Sequence, residues 1–500
     1  MQAFDELQAR LPSVWPSMTL RTTRPQLRTV IVAHSLPVDL VPKHLAPVFP
    51  AYEERFLCLV LSLLRAPGSR VIYLTSQPVL PAVVDYWFGL VRGLDTAEAR
   101  SRLFLVSPAD GTHRSLAEKF ADRPRLLARV RDLVVDPELS IILPFLTREP
   151  EARLAVELGV PIYGSSPDLW ELGSKSSARR LFVEEGIPLP TGVEDVSSRS
   201  DLRDALRIVE ERSPHATHAI AKLNQGVGGM GIATLSLKSE PETAIDEMIV
   251  EDEDAPRAEF LSALEEQGGV VEERVTCEEI RSPSVQLRAS PTGEVDVLST
   301  HDQVLGGPQG LTFLGSRFPA DPEYSSAITE LGLRIGARLA REGVLGRFAI
   351  DFLVVREPDQ EWQPYALEIN LRCGGTTHTF MALQTLTDGV YDEEEAVFET
   401  ALGPRYYTAT DHLESPDYAR LTPHDLFDIV EDRAIGWDES TLTGVAYHMV
   451  SGLAVAGRVG ATAIAATPAG ANALLERAKV VLDEEAVQEG RARLASPLLR

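Results

Sequence analysis

Cysteine is scarce in this chain of 500 residues. Cys58, Cys277 and Cys373 lie far apart and form no ligand spacing, which excludes a disulfide framework and a zinc module. Reduced, structural thiols are expected, Cys373 beside Arg372 being the one whose neighbour would favour reactivity. Lysine is scarce too. Six lysines stand against 42 arginines, so Arg supplies the surface charge and a Lys kept inside a motif is more informative than usual. No apolar run approaches a membrane span, and the opening MQAFDELQAR is acidic without the apolar core of a signal peptide, so a cytoplasmic location is expected. The shortage of basic residues leaves a net charge of −26, which repels nucleic acid and membrane surfaces and points to small-molecule partners, a local basic cleft excepted. Several nucleotide-site signatures are missing as well. The first βα turn, AHSLP, has no glycine fingerprint for a dinucleotide; no glycine loop ends in GK followed by Ser or Thr; and the kinase strings HRD and DFG do not occur.

What is present is ample material for packed cores, at 44% hydrophobic residues, in a length that suggests about three domains. From Thr29 to about Ser165 the β-like runs TVIVAHS, RVIYLTS, RLFLVS, SIILPFLT and PIYGSS alternate with amphipathic stretches, the pattern of a parallel α/β sheet. Ser166, Pro167 and Asp168 suit a helix start, and the helix is expected to run to Glu185, before Gly186. Residues 239–259 are acid-rich and read as an irregular, solvated insertion. The last hundred residues carry two strand-like runs, GVAYHMVSGL and GRVGATAIAAT, then an Ala-rich helix from Ala469 to about Glu485, which suggests a small α/β domain.

Two lysines sit in informative places. Lys175 lies within the helix that starts near Ser166, among Gly173, Ser174, Ser176 and Ser177, whose small side chains leave room for a phosphate. Lys222 ends one β-like run, and Gly226, Gly228, Gly229 and Gly231 form a glycine-rich loop before the next; backbone N–H groups of such a loop can cradle phosphate. Solvated surface would equally explain a helix lysine, and a tight hairpin the glycines.

The stretch GRFAIDFLVVREPDQEWQPYALEINLRCGGTTH reads as a β-hairpin with Pro358 and Asp359 in its turn. If the turn centres between Asp359 and Gln360, Asp351 faces Glu368, and alternation along the strand brings Asn370 to the same side. Facing carboxylates repel unless a cation lies between them, and an all-oxygen set of Asp, Glu and Asn suits Mg²⁺, with zinc a poor fit. A hairpin face whose charges splay into water remains the alternative, and a slip of one residue would part them.

These motifs together resemble the ATP-grasp enzymes, and EINLRCGGTTH with HDQVLGG resembles, more narrowly, the pheganomycin-type peptide ligases. The resemblance implies a fold class of α/β and α+β multidomain type: residues 1–165 a pre-ATP-grasp domain, 166–400 an ATP-grasp fold whose two subdomains grip ATP, and 401–500 a C-terminal ligase-family domain. It implies that Lys175, Lys222 and the four loop glycines bind ATP phosphates, and that Glu272, Glu273 and Val275 belong to the adenine hinge. Glu279 would hold the ribose hydroxyls, a role left open among Glu272, Glu273, Glu278 and Glu279. Asp351, Glu368 and Asn370 would hold Mg²⁺, with Mn²⁺ as an alternative. Arg347 and Arg372 would face the transferring phosphoryl group, and the backbone N–H groups of Gly374 and Gly375 would hold an oxyanion. His301, Gln303, Arg317 and His378 are candidates to meet substrate, whereas His34 and His448 read more simply as core histidines. The activity implied is ATP-dependent joining of a carboxylate to an amine through an acylphosphate, with release of ADP and phosphate. Other ATP-grasp chemistry, such as phosphorylation or thioester formation, and a non-catalytic nucleotide-binding regulator stay open, as does a homodimer.

Overall fold

The run Thr-Val-Ile-Val-Ala is buried on both faces, as a central strand of a parallel sheet must be. In the computed structural model, which describes residues 2–19, 28–36, 46–91, 93–226, 228–252 and 255–495, it forms the strand Arg28–Ala33. That strand pairs in parallel with Ser69–Leu74 and Ile141–Pro144, and Leu103–Val106 completes a four-stranded sheet. Alternate side chains serve two cores. Val30 and Val32 pack into a large cluster that also takes in Phe380, Tyr407 and Val459 from far along the chain, while Ile31 packs with Leu116 and Ile142 inside the N-terminal layer. The α/β layer is thereby bonded apolarly to the rest of the molecule.

Two large antiparallel sheets follow, with a small three-stranded one formed by Val390–Asp392, Val397–Thr400 and Gly403–Pro404. The smaller of the two large sheets has five strands in the order Gly192–Val196, Gly269–Glu273, His218–Leu223, Ile232–Ser236 and Ile249–Val250. The larger has nine strands and includes the expected hairpin, Gly346–Arg356 with Gln363–Asn370. Tyr406–Glu414, Gly444–His448 and Arg458–Ala465 extend this same sheet, so the last hundred residues join the central sheet and cover it with the helix Pro468–Ala495.

Two local expectations are corrected. The stretch from Ser166 divides into a 3-10 turn, Pro167–Gly173, and a helix, Lys175–Glu184, because Ser174 accepts a hydrogen bond from the Ser177 N–H and caps a second start. Residues 239–259 are not an irregular insertion either. They supply the helix Pro241–Asp246, an edge strand and the start of the helix Arg257–Gln267, and the buried Glu251 accepts bonds from Gln309 N, Leu311 N and Thr312 Oγ1. That carboxylate clips the five-stranded sheet to the loop of the nine-stranded one.

Candidate active site

The hairpin register places Asp351 opposite Glu368 and Ala349 opposite Asn370. Asn370 Nδ2 lies 3.0 Å from Asp351 Oδ2 and 2.8 Å from Glu368 Oε1, so one amide donates to both carboxylates. The carboxylates are not equivalent. Lys175 Nζ sits 2.7 Å from Glu368 Oε2, and although burial works the other way, that ammonium holds the Glu368 carboxyl below its usual range. Burial, followed by the charge of Glu368, pushes Asp351 above its usual range. Two facing carboxylates that strain each other's ionisation, with an amide oxygen beside them, fit a hard divalent cation. Arg372 Nη2 bonds Asn370 Oδ1 at 2.8 Å and fixes that amide's orientation.

Across the cleft, Lys222 Nζ lies 2.5 Å from Glu272 Oε2, and Arg179 Nη1 lies 2.6 Å from Glu272 Oε1. Burial favours protonation of Glu272, but the two cations outweigh it and keep the carboxyl ionised below its usual range. The glycine loop folds down onto the large sheet, where Phe313 N donates to Gly228 O. Gly229 has φ +99°, and a Cβ there would lie 2.7 Å from Thr312 Cα, so the approach needs glycine. Lys175, Lys222, the four glycines, Glu272, Glu273, Val275, Gln303, Arg317, Asp351, Glu368, Asn370, Arg372, Gly374 and Gly375 all line one cleft of about 1500 Å³ between the two large antiparallel sheets.

Several expected residues lie elsewhere. His301 is fully buried with its Nε2 2.6 Å from the Tyr407 hydroxyl, and His378 is buried with its Nε2 3.0 Å from His448 Nε2 and 3.2 Å from Asp411 Oδ1; neither lines the cleft. Burial pushes both imidazoles down to about 3, so they are neutral. Two imidazoles and a carboxylate so close could in shape hold a metal, but Arg55 Nη1 already sits 2.8 Å from Asp411 Oδ2 and supplies the balancing charge. Glu279 pairs with Arg356 at 2.9 Å and lies outside the cleft lining. Arg347 shares a strand face with Asp351 but stands four residues off, about 13 Å along the strand, and lines a separate, smaller cavity. The Gly374 N–H donates to Thr377 Oγ1 and is not free for an oxyanion.

Residues missed from sequence include Arg179, Arg55 and Arg274, of which Arg55 and Arg274 line the cleft. Arg179 had a signal: it follows Lys175 by four residues on one helix face. Arg55 had none, since its partner Asp411 lies 356 residues away.

A family model described as IQCH-like, ATP-grasp matches residues 248–394. The L-propargylglycine–L-glutamate ligase of Streptantibioticus cattleyicolor is 30% identical over 438 residues, covering 86% of this chain and 89% of that protein. The IQ motif-containing protein H of Danio rerio is 22% identical over 446 residues, 77% of this chain and 42% of that protein. Among solved structures, the N5-carboxyaminoimidazole synthetase of Staphylococcus aureus with ADP superposes with a TM-score of 0.53 at 10% identity, over 92% of this chain and 99% of that one. The biotin carboxylase domain of the Hydrogenobacter thermophilus 2-oxoglutarate carboxylase, a dimer with MgADP, ADP and bicarbonate, gives 0.53 at 12%, over 89% and 87%. The chain belongs to the ATP-grasp ligases, of the pheganomycin-type branch. ATP is the nucleotide of that family, and no described helix is long and apolar enough to cross a membrane.

Proposed function

We propose that the protein joins the carboxylate of an amino acid or amino-acid-like acid to the amine of a second amino acid or peptide, using ATP. The observation that carries this reading is the single cleft in which the Asp351, Glu368 and Asn370 cluster faces Lys175, Lys222 and the glycine loop. The name of the Streptantibioticus relative, a ligase of two amino acids, supports the substrate class. In this reading residues 166–400 hold the nucleotide, residues 1–165 close the substrate side, and residues 401–500 brace both through Asp411.

A substrate carboxylate oxygen attacks the γ-phosphorus, the bond to the β-phosphate oxygen breaks, and ADP leaves an acylphosphate behind. The amine nitrogen then attacks the acyl carbon, its proton is lost, the carbon–phosphate oxygen bond breaks, and phosphate departs from the new amide. Lys222 and Lys175 give up their carboxylate partners in part to phosphate oxygens, and Arg372, already oriented by Asn370, faces the equatorial oxygens of the transferred group. Asp351, Glu368 and Asn370 would hold Mg²⁺, which when bound neutralises phosphate charge; Mn²⁺ would satisfy the same oxygen set. Closure of the glycine loop over the cleft excludes water, which would otherwise hydrolyse the acylphosphate. Three free thiols and a dependence on ATP suit a cytoplasmic setting.

Incubation with MgATP and panels of amino acids and peptides tests the reading, with ADP, phosphate and product mass read together. ADP and phosphate in step with an amide product are expected. AMP and pyrophosphate would overturn the acylphosphate route.

A further inference from the structure

Beside the cleft lies a second cavity, of about 180 Å³, lined by the N-terminal parallel sheet and the start of the strand Gly346–Arg356. Its volume resembles that of a cavity of about 150 Å³ that accepts benzene, so it holds a small organic group and not only a water. Four arginines line it, Arg28, Arg288, Arg347 and Arg372, and no Asp or Glu does. In a chain carrying a net charge of −26 this concentration of one sign runs against the average.

Three of the four cations have partners. Arg28 Nε bonds Ser69 Oγ at 2.8 Å, Arg288 Nη2 pairs with Asp296 at 2.5 Å, and Arg372 holds Asn370. Arg347 does not. Its Nη1 is out of solvent and has no hydrogen-bond partner among the described residues, and the neighbouring strand places Arg288 directly opposite it. Burial lowers the Arg347 pKa, and Arg288 adds to that effect. His34 Nδ1 and Thr147 Oγ1, which line the same cavity, are also buried without partners. Arg347 is half-buried, but a guanidinium whose Nη1 is out of solvent with no counter-charge against it is costly, and native proteins rarely leave such a group unanswered. An anion seated against Arg347 would answer all three orphan groups together.

We propose that this cavity is a carboxylate subsite, which takes the free carboxylate of the amine-bearing amino acid or peptide. The assignment rests on the ligase reading for the substrate's identity, though the anion site itself does not. Arg372 and Phe145 line both cavities, so a molecule held by its carboxylate at Arg347 can present its amine toward the cleft where the acylphosphate forms. A second carboxylate so held is kept from being phosphorylated in place of the first. Phosphate released by the reaction shares the charge of a carboxylate, and the test separates the two.

Thermal melting is measured for the parent, Arg347→Met and Arg347→Lys, with each of the twenty amino acids, with their carboxamides, with inorganic phosphate, and with MgADP. Without ligand, Arg347→Met is expected to melt at or above the parent, since it removes a half-buried charge that no counter-charge answers. One or more amino acids should raise the parent's melting temperature while the matching carboxamides do not. That shift should vanish in Arg347→Met and survive in part in Arg347→Lys, with the MgADP shift unchanged in all three. In turnover, Arg347→Met should raise KM for the amine substrate at least tenfold and leave KM for ATP alone. A structural arginine would instead lower the melting temperature of Arg347→Met and leave the KM ratio unmoved, which would overturn the proposal. So would an undiminished amino-acid shift in Arg347→Met, stabilisation by phosphate only, or no carboxylate-dependent shift with any amino acid. Absence of an MgADP shift in the parent would sink the ligase reading and leave the anion subsite standing on its own shift.

Discussion

Neutralising either of the two hairpin carboxylates should abolish turnover, yet the two changes should move stability in opposite directions. Both carboxylates lie within 3.0 Å of Asn370 Nδ2, so they are no more than about 6 Å apart. At an effective dielectric of about 20 their repulsion is about 3 kcal/mol. Asp351 has no ion-pair contact among the described residues, and burial together with that repulsion outweighs the more distant charge of Arg372, which is why its carboxyl is pushed up. Asp351→Asn should therefore stabilise the metal-free protein by about 1–3 kcal/mol, a rise of about 2–4 °C per kcal/mol for a unit of 150–250 residues. The pH dependence has a sign as well. A carboxyl with a raised folded pKa contributes stability below its unfolded pKa and loses it as pH rises to the folded value, so the advantage of Asp351→Asn over the parent should grow from about pH 4 to about pH 7 and level off above. Glu368 is the reverse case, ionised below its usual range by Lys175. Its side chain keeps 22% of its exposure, so Glu368→Gln should cost about 1–3 kcal/mol, less than a fully buried pair would lose. Calorimetry in EDTA across that pH range reads both effects, and added MgADP should stabilise the parent but neither variant. Melting shifts of the same sign in the two variants would refute the asymmetry assigned to Lys175, and near-parental turnover at limiting Mg²⁺ in either would remove the hairpin as the metal site.

Lys222→Ala should weaken ATP binding far more than Lys238→Ala, because Lys222 faces the cleft beside the glycine loop; isothermal titration giving equal affinities would return the loop to a plain hairpin. Since Lys222 also answers the buried Glu272, the same variant should melt lower, with Arg179 alone left to hold that carboxylate. Gly229→Ala forces a Cβ to within 2.7 Å of Thr312 Cα at a positive φ, a strain of about 1–3 kcal/mol, and should raise KM for ATP and lower the melting temperature of the nucleotide-free protein by a few degrees. An unchanged KM would mean the loop does not close against Thr312 during turnover.

The parts of the site that were legible in the sequence are those set by local periodicity. The facing of Asp351 and Glu368 follows from strand alternation, but the assumed turn symmetry holds only on the site side: nearer the turn Val355 faces Gln363, and a bulge between Asp351 and Phe352 restores the register. The five β-like runs of the N-terminal layer are four strands and a bridge at Ile162. What could not be read depends on distant partners. His301 and His378 carry the letters of substrate contacts, and only Tyr407, Asp411 and His448, each more than 30 residues from the histidine it meets, show that they are core groups. Glu279 is decided by Arg356 across a strand pair. Arg347 shares a face with Asp351, as alternation requires, but alternation is silent on distance, and four residues carry it out of one cavity and into another. The continuity of the last hundred residues with the central sheet had no local signal either, because strand propensity does not say which sheet a strand joins.

Asp411 offers a test of how those distant parts act on the cleft. It receives Arg55 from the N-terminal layer, His378 from the helix that follows the glycine pair and His448 from a C-terminal strand, at distances of 2.8, 3.2 and 2.7 Å. Burial would raise its pKa, but the Arg55 guanidinium and the hydrogen bonds from the neutral imidazole of His378 and from His448 outweigh burial and hold the carboxyl well below its ordinary range. Asp411→Asn keeps the shape and leaves the Arg55 guanidinium, 4% exposed, without its counter-charge, a loss of about 3–5 kcal/mol. A depressed folded pKa gives stability that is present above the unfolded pKa and lost as pH falls through the folded one. The deficit of Asp411→Asn should therefore be constant from pH 6 to pH 9 and close only in acid. Because Arg55 and Asp411 both line the cleft, the variant should also bind MgADP as the parent does yet lose affinity for the carboxylate substrate, since Arg55 reaches the cleft from the substrate side. Arg55→Met, which removes the charge that Asp411 answers, should show the same substrate defect, and the double variant should melt above Asp411→Asn, because the unanswered guanidinium is gone. A double variant that melts lower than both singles would show that the two residues stabilise the fold separately, and Asp411 would then have no part in placing Arg55 at the cleft.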